Sequence, residues 1–89
     1  MQIKSDPSFL RAIKKLDKQK RQAVHDAIRR FINNPSDPQL KNHPLKGKLK
    51  DLRAFSAGYD LRIVFEERDG YLVVIFIDVG SHNRVYRRH

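Results

Sequence analysis

Two apolar runs, YDLRIVFEE at 59–67 and YLVVIFIDV at 71–79, meet across Asp69-Gly70, and that junction restricts the fold more than any other stretch. An Asp-Gly pair between apolar runs signals a β-hairpin, because the central residues of a tight primed turn need positive φ. In the first run Tyr59, Leu61, Ile63 and Phe65 alternate with Asp60, Arg62, Val64 and Glu66, which predicts a half-buried strand. The second run is apolar on both faces, as expected of a central strand. A further strand is expected over LKDLRAFSA at 49–57, so the second half of the chain reads as an antiparallel meander.

The first half is helical by spacing. Ser5 and Asp6 offer an N-cap, Pro7 suits a first helical turn, and Phe9, Leu10, Ile13 and Leu16 recur at helical intervals, predicting a helix over 7–16. Ala23, Val24, Ala27, Ile28, Phe31 and Ile32 form one apolar stripe of a second helix, over 18–33, which Asn33-Asn34-Pro35 ends. Residues 35–48 hold three of the four prolines and read as a loop, and Gln2 to Lys4 as a short opening strand. The expected fold is α+β: one domain over 1–89, with two N-terminal helices packed on one face of a small antiparallel sheet of three to four strands.

Nineteen Lys and Arg against ten Asp and Glu give a formal net charge of +9, which favours a polyanionic partner, nucleic acid first. Cysteine is absent, which excludes disulfides, thiolate nucleophiles and thiolate metal sites. The N-terminus MQIKSDPSF lacks an apolar stretch of signal-peptide length, and no segment approaches the roughly 20 apolar residues of a membrane span, so the expectation is a cytoplasmic protein without membrane contact. No P-loop, HExxH or paired-carboxylate constellation occurs, and the four histidines lack zinc-ligand spacing, so neither metal nor cofactor is expected.

RNA cleavage suits the remaining polar residues. RNA carries its own nucleophile, so the reaction needs a base for the 2′-hydroxyl, cations for the charge growing on phosphate, and an acid for the leaving oxygen. Arg62 lies on the polar face of its strand, and His82 follows the end of the central strand at Val79-Gly80-Ser81. Tyr86, four residues on, shares a side with His82 if the tail is helical, and supplies a hydroxyl or a stacking ring. His43, Lys46, Lys48 and Lys50 in the loop, Arg53 on the next strand, and Arg84 and Arg87 in the tail are candidates to hold RNA.

HPLKG at 43–47, LRAFSAGYDLRIVF at 52–65, the Asp-Gly hairpin and VGSHNRVY at 79–86, in this order after two helices, resemble the RelE/ParE superfamily of bacterial toxin–antitoxin toxins. The likeness is strongest to its ribosome-dependent mRNA interferases of the RelE and YafQ kind, and it covers nearly the whole chain. It implies a microbial-RNase-like toxin that enters the ribosomal A site near the 16S rRNA, cuts the mRNA there, and is silenced by a cognate antitoxin in a hetero-oligomeric complex.

By position, His82 matches the catalytic histidine of YafQ-like toxins, where RelE-like ones have arginine, and Tyr86 matches their terminal aromatic. Arg62 matches the strand arginine of RelE-like members, and His43 and Asp60 match a histidine and an aspartate of YafQ-like ones, Asp60 as an RNA-contacting candidate. The implied roles are His82 as general base or acid, Arg62 stabilising the phosphorane, Tyr86 stacking or assisting, and His43 holding phosphate with Lys48 and Lys50. The chain departs from the YafQ pattern after Arg53, where Ala54, Phe55 and Ser56 replace a further acid and histidine, and the RelE-like lysine pair aligns only loosely with Lys48 and Lys50. Two other readings stay open: a ParE-like inhibitor of DNA gyrase without RNase activity, and a non-catalytic RNA-binding protein on the same fold.

Overall fold

The structure, a computed structural model, describes residues 1–88. Strand β1 (Gln2–Ser5) leads through Asp6 into helix α1 (Pro7–Lys14). The Asp6 carboxylate caps α1 by accepting the Ser8 amide at 3.0 Å. Helix α2 (Lys18–Asn33) starts in the same way, with Asp17 accepting the Lys20 amide at 2.9 Å. It stops at Asn34, whose φ of −159° and ψ of 98° are extended, the conformation a following proline imposes.

Strands β2 (His43–Pro44), β3 (Arg53–Gly58), β4 (Leu61–Arg68) and β5 (Val73–Ser81) complete one sheet in the order β1-β5-β4-β3-β2. Helix α3 (His82–Arg88) follows β5 without a break. Among the described residues no helix is long and apolar enough to cross a membrane.

The α+β class and the antiparallel meander are as expected, and four details differ. The sheet has five strands rather than three to four, because β1 adds in parallel to β5 and β2 adds antiparallel to β3. The strand expected from residue 49 begins at Arg53, since Gly47–Leu49 coils into a 3-10 turn. Tyr59 does not continue the apolar face of β4. It is 62% exposed and forms with Asp60 the two-residue turn joining β3 to β4, both residues at positive φ (52° and 59°). The tight turn therefore falls at Tyr59-Asp60, while Asp69-Gly70 belongs to a longer connection, since Arg68 pairs with Val73.

The fourth difference concerns the layers. Helices α1 and α2 cover one face of the sheet, where Phe31 stacks on Phe55 at 4.5 Å and meets Phe65 edge-on at 5.0 Å, with Phe9, Val24, Leu61, Ile63, Val74, Phe76 and Val79 around them. Burial of that face is the main apolar contribution to stability. The opposite face is not left to solvent. Leu45, Ala54, Val64 and Val85 form a second buried cluster there, flanked by Leu49, Leu52, Ile77 and Tyr86, so α3 and the 45–52 segment make a third layer.

A bulge makes that third layer possible. Val64 pairs with Asp78 but Phe65 pairs with Phe76, so Ile77 is the extra residue on β5. An unbroken alternation after Val74 and Phe76 would aim Asp78 into the phenylalanine core. The bulge re-phases the strand, returning Val79 to that core and leaving Asp78 and Gly80 beneath α3. The bulged Ile77 carbonyl is held from α1, where the single proton of the Ser8 hydroxyl is shared between it and the Asp6 carboxylate, each 2.5 Å away.

Candidate active site

The site forms where β2, the 45–49 segment and α3 converge. Ser81 caps α3 by accepting the Arg84 amide at 3.2 Å, and the His82 amide donates to the Asp60 carbonyl at 3.2 Å, tying the helix start to the β3–β4 turn. Helical spacing then puts His82 and Tyr86 one turn apart, their rings edge-to-face with centroids 4.3 Å apart. The Tyr86 hydroxyl lies 3.5 Å from Nε2 of His43, which β2 brings in from the other side. His43, Lys46, His82 and Tyr86, with Pro44, Leu45 and Leu49 as apolar wall, enclose an open pocket of about 350 Å³.

The tautomer of His43 follows from its second contact. Its Nδ1 lies 2.8 Å from the carbonyl oxygen of Lys41, which can only accept a hydrogen bond, so Nδ1 carries the proton. In the neutral ring Nε2 then presents a lone pair to the Tyr86 hydroxyl and to the pocket. Lys41 reaches this position in a left-handed conformation, φ 52°, at the end of the 3-10 turn Pro38–Leu40.

Tyr86 is half-buried, and that desolvation raises its phenol above the ordinary 10.0, while the positive charge of Arg62 pulls the other way. The hydroxyl therefore stays protonated at neutral pH and is available as a donor. Arg62 lies on the α3 face of the sheet, half-buried, its Nη1 donating to the Leu61 carbonyl at 3.1 Å. Its guanidinium charge reaches Tyr86, while its side chain is not part of the pocket wall.

The fold thus brings together His43, Lys46, His82 and Tyr86, with Arg62 placed so that its charge acts on Tyr86. Lys48 and Lys50 are exposed on and beside the neighbouring 3-10 turn, outside the pocket wall. Asp60 is exposed in the turn and contributes its carbonyl to the start of α3. Arg87 is exposed on α3 and lines a separate shallow depression with Ser81, Asn83 and Arg84. Arg84 turns inward, its Nη1 donating to the Val79 carbonyl at 2.8 Å. Arg53 stands apart from the pocket, its Nε donating at 3.0 Å to Asn42, whose amide in turn reaches the Pro35 carbonyl and the Tyr71 hydroxyl, each at 3.1 Å.

Sequence reading misses the Lys41 carbonyl and the apolar wall of Leu45 and Leu49. Nothing in a lysine announces a left-handed backbone, although the Asp37-Pro38 start of the turn that ends there is a recognisable cap. Among the described residues no cluster of His, Asp or Glu could hold a metal ion.

The sequence profile of the family described as "ParE toxin of type II toxin-antitoxin system, parDE" matches residues 3–86. None of the curated proteins matches the chain. Among solved structures, YafQ from E. coli strain BL21(DE3) superposes with a TM-score of 0.79 at 20% identity, over 94% of this chain and 96% of YafQ. YafQ in the E. coli DinJ–YafQ toxin–antitoxin complex gives 0.76 at 20% identity, over 94% of each chain. A YoeB/ParE toxin from Agrobacterium tumefaciens gives 0.75 at 19% identity, over 92% of this chain and 99% of that one. With the family profile spanning nearly every residue and the fold shared with YafQ, the chain belongs to the ParE toxin family and is a toxin of a type II toxin–antitoxin system, in the RelE/ParE superfamily.

Proposed function

We propose that this toxin is a metal-independent endoribonuclease that cuts mRNA in the ribosomal A site. The observation that carries the reading is the convergence of two imidazoles and a phenol on one pocket: His43 Nε2 3.5 Å from the Tyr86 hydroxyl, and His82 packed on the Tyr86 ring. Two imidazoles on one pocket can play base and acid in turn.

His43, with its Nδ1 proton engaged by Lys41, takes the proton of the RNA 2′-hydroxyl on Nε2. The 2′-oxygen attacks the adjacent phosphorus, and the negative charge growing on the non-bridging oxygens is met by Arg62 and Lys46. The bond to the 5′-oxygen breaks as that oxygen takes a proton from a protonated His82, leaving a 2′,3′-cyclic phosphate and a 5′-hydroxyl end. Tyr86 holds the base nearest the cut by stacking, and its hydroxyl orients His43 until the substrate's 2′-hydroxyl takes its place on Nε2. In this scheme His43 is the base, a larger role than the phosphate contact the sequence suggests, and Lys48, Lys50 and Arg87 hold flanking phosphates.

The partner that restrains the toxin is proposed to be an acidic antitoxin, supported by the family and by the DinJ–YafQ complex of a structural relative. A charge of +9 suits such a partner.

The test is mRNA cleavage in a purified translating system, mapped by primer extension, with wild type and folded His82→Ala and Arg62→Ala variants. Cuts at A-site codons that require ribosomes and vanish in both variants are the expected result. Intact mRNA together with inhibition of gyrase supercoiling would establish the second reading, an inhibitor of DNA gyrase without RNase activity.

A further inference from the structure

Asp78 is the one buried charged residue among the described residues, at 0% exposure, and it lies under α3 because the Ile77 bulge turned it there. Its Oδ1 accepts the Val79 amide at 2.9 Å. Arg84 comes down over the same spot, its Nη1 2.8 Å from the Val79 carbonyl and 4.0 Å from the Asp78 carboxylate. Gly80 leaves the room for it. A Cβ there would stand 2.6 Å from Arg84 Nη1, closer than such atoms approach, and 3.3 Å from its Cδ, a tight contact, so a side chain at 80 pushes the guanidinium off its seat.

Helix α3 has seven residues, too few to hold a helix by its own hydrogen bonds, so its place depends on tertiary anchors. Val85 is one, fully buried against Ala54, Val64 and Leu45. Apolar burial resists lifting but is non-directional. A charge-assisted hydrogen bond to a fixed carbonyl supplies direction. We propose that Arg84 is a positioning residue: seated on the Val79 carbonyl beside Asp78, in the space left by Gly80, it latches α3 to β5 and so sets where Tyr86 and His82 stand relative to His43. This assigns Arg84 inward, away from the RNA-holding role its charge suggests in the sequence. The catalytic consequence rests on the nuclease reading; the latch itself does not.

Three variants separate the possibilities. Arg84→Met removes the charge and keeps the stem, Gly80→Ala keeps every charge and displaces the guanidinium, and Arg84→Lys restores a cation. The first readout is the titration of Tyr86 followed by NMR of its labelled Cζ carbon. The second is the salt dependence of binding to a single-stranded RNA oligonucleotide. The third is cleavage in the translating system.

Arg84→Met and Gly80→Ala should both shift the Tyr86 midpoint toward that of free tyrosine, as the helix loosens and the ring gains water. Both should leave the salt slope unchanged and lower kcat about ten- to hundredfold, the scale of a small misplacement of catalytic groups, with KM within about twofold. Arg84→Lys should recover part of each loss. A Tyr86 midpoint unmoved in both variants would overturn the latch. So would a salt slope reduced by about 0.7 in Arg84→Met with Gly80→Ala like wild type, the signature of one lost phosphate contact on a single strand. Should wild type leave mRNA intact, the nuclease reading fails while the Tyr86 titration still decides the latch.

Discussion

The imidazole of His82 stands edge-to-face with the ring of Tyr86, centroids 4.3 Å apart and planes at 87°. Both side chains come from one short helix, one turn apart, so the pair is made locally. Its meaning is tertiary. The same Tyr86 reaches across the pocket to His43, 43 positions away in the chain, which joins two elements with no sequence proximity into one site.

Replacing either imidazole should remove cleavage while sparing the fold. Both histidines are exposed, so His43→Ala and His82→Ala are expected to change unfolding free energy by no more than about 0.5 kcal/mol. Each should slow mRNA cleavage by at least about 10²-fold, the usual contribution of a positioned acid or base. Single-turnover primer extension beside urea denaturation reads both quantities, and wild-type cleavage by either variant would remove that histidine from the chemistry.

Tyr86 separates into ring and hydroxyl. Tyr86→Phe keeps the stacking partner of His82 and the packing on the second cluster but loses the contact to His43, so cleavage should fall modestly, about tenfold or less. Tyr86→Ala loses both and should fall further, with a stability cost of about 1–3 kcal/mol from the vacated apolar contacts. Equal rates for the two variants would mean that the ring contributes nothing beyond the hydroxyl.

Arg53 provides the opposite control. Its guanidinium joins Asn42 in a network with Tyr71 and Pro35, away from the pocket. Arg53→Ala should therefore destabilise the fold by about 1 kcal/mol, one hydrogen bond's worth, and leave cleavage within about twofold of wild type. Calorimetry and the cleavage assay test the two halves, and a large loss of activity at unchanged stability would restore the RNA contact suggested by its charge.

Phe31 is where the fold is most sensitive. It is fully buried and meets Phe55, Phe65, Tyr71 and Phe76. Phe31→Ala should cost about 3–5 kcal/mol, a large share of the roughly 5–15 kcal/mol that hold a small domain. Chemical denaturation measures it directly, and a loss below about 1 kcal/mol would mean the core collapses into the vacancy.

Asp6 predicts an acid-side dependence. Hydrogen bonds from the Ser8 hydroxyl and amide hold its carboxyl below the ordinary 3.8, with a smaller pull from Arg11. A carboxyl depressed in the folded state contributes stability that is fully present above its unfolded value and is lost as pH falls through the folded one. Wild type should thus lose stability below about pH 4 more steeply than Asp6→Ala, and parallel melting curves across that range would show that the cap carries no net charge effect.

Much of the fold was legible because its signals are local. Helical spacing places α2 over 18–33, as observed, and Asp6 marks the start of α1. Alternation marks β4, and the apolar run after Asp69-Gly70 marks β5 as an interior strand. The candidate residues His43, Arg62, His82 and Tyr86 were likewise visible by type and position. What no local signal carries is phase and partner. The chain alone cannot tell that Ile77 bulges, that Asp78 therefore turns from one face of the sheet to the other, or that Arg84 points inward to it while Arg87 points out. Nor can it tell that a left-handed Lys41 fixes the proton of His43 on Nδ1. The sequence by itself determined the two long helices, the main strands of the meander and which side chains are suited to chemistry, because propensity and periodicity act over a few residues. Only the tertiary structure decided which of those side chains meet, because strand register and the docking of α3 depend on contacts between residues far apart in the chain.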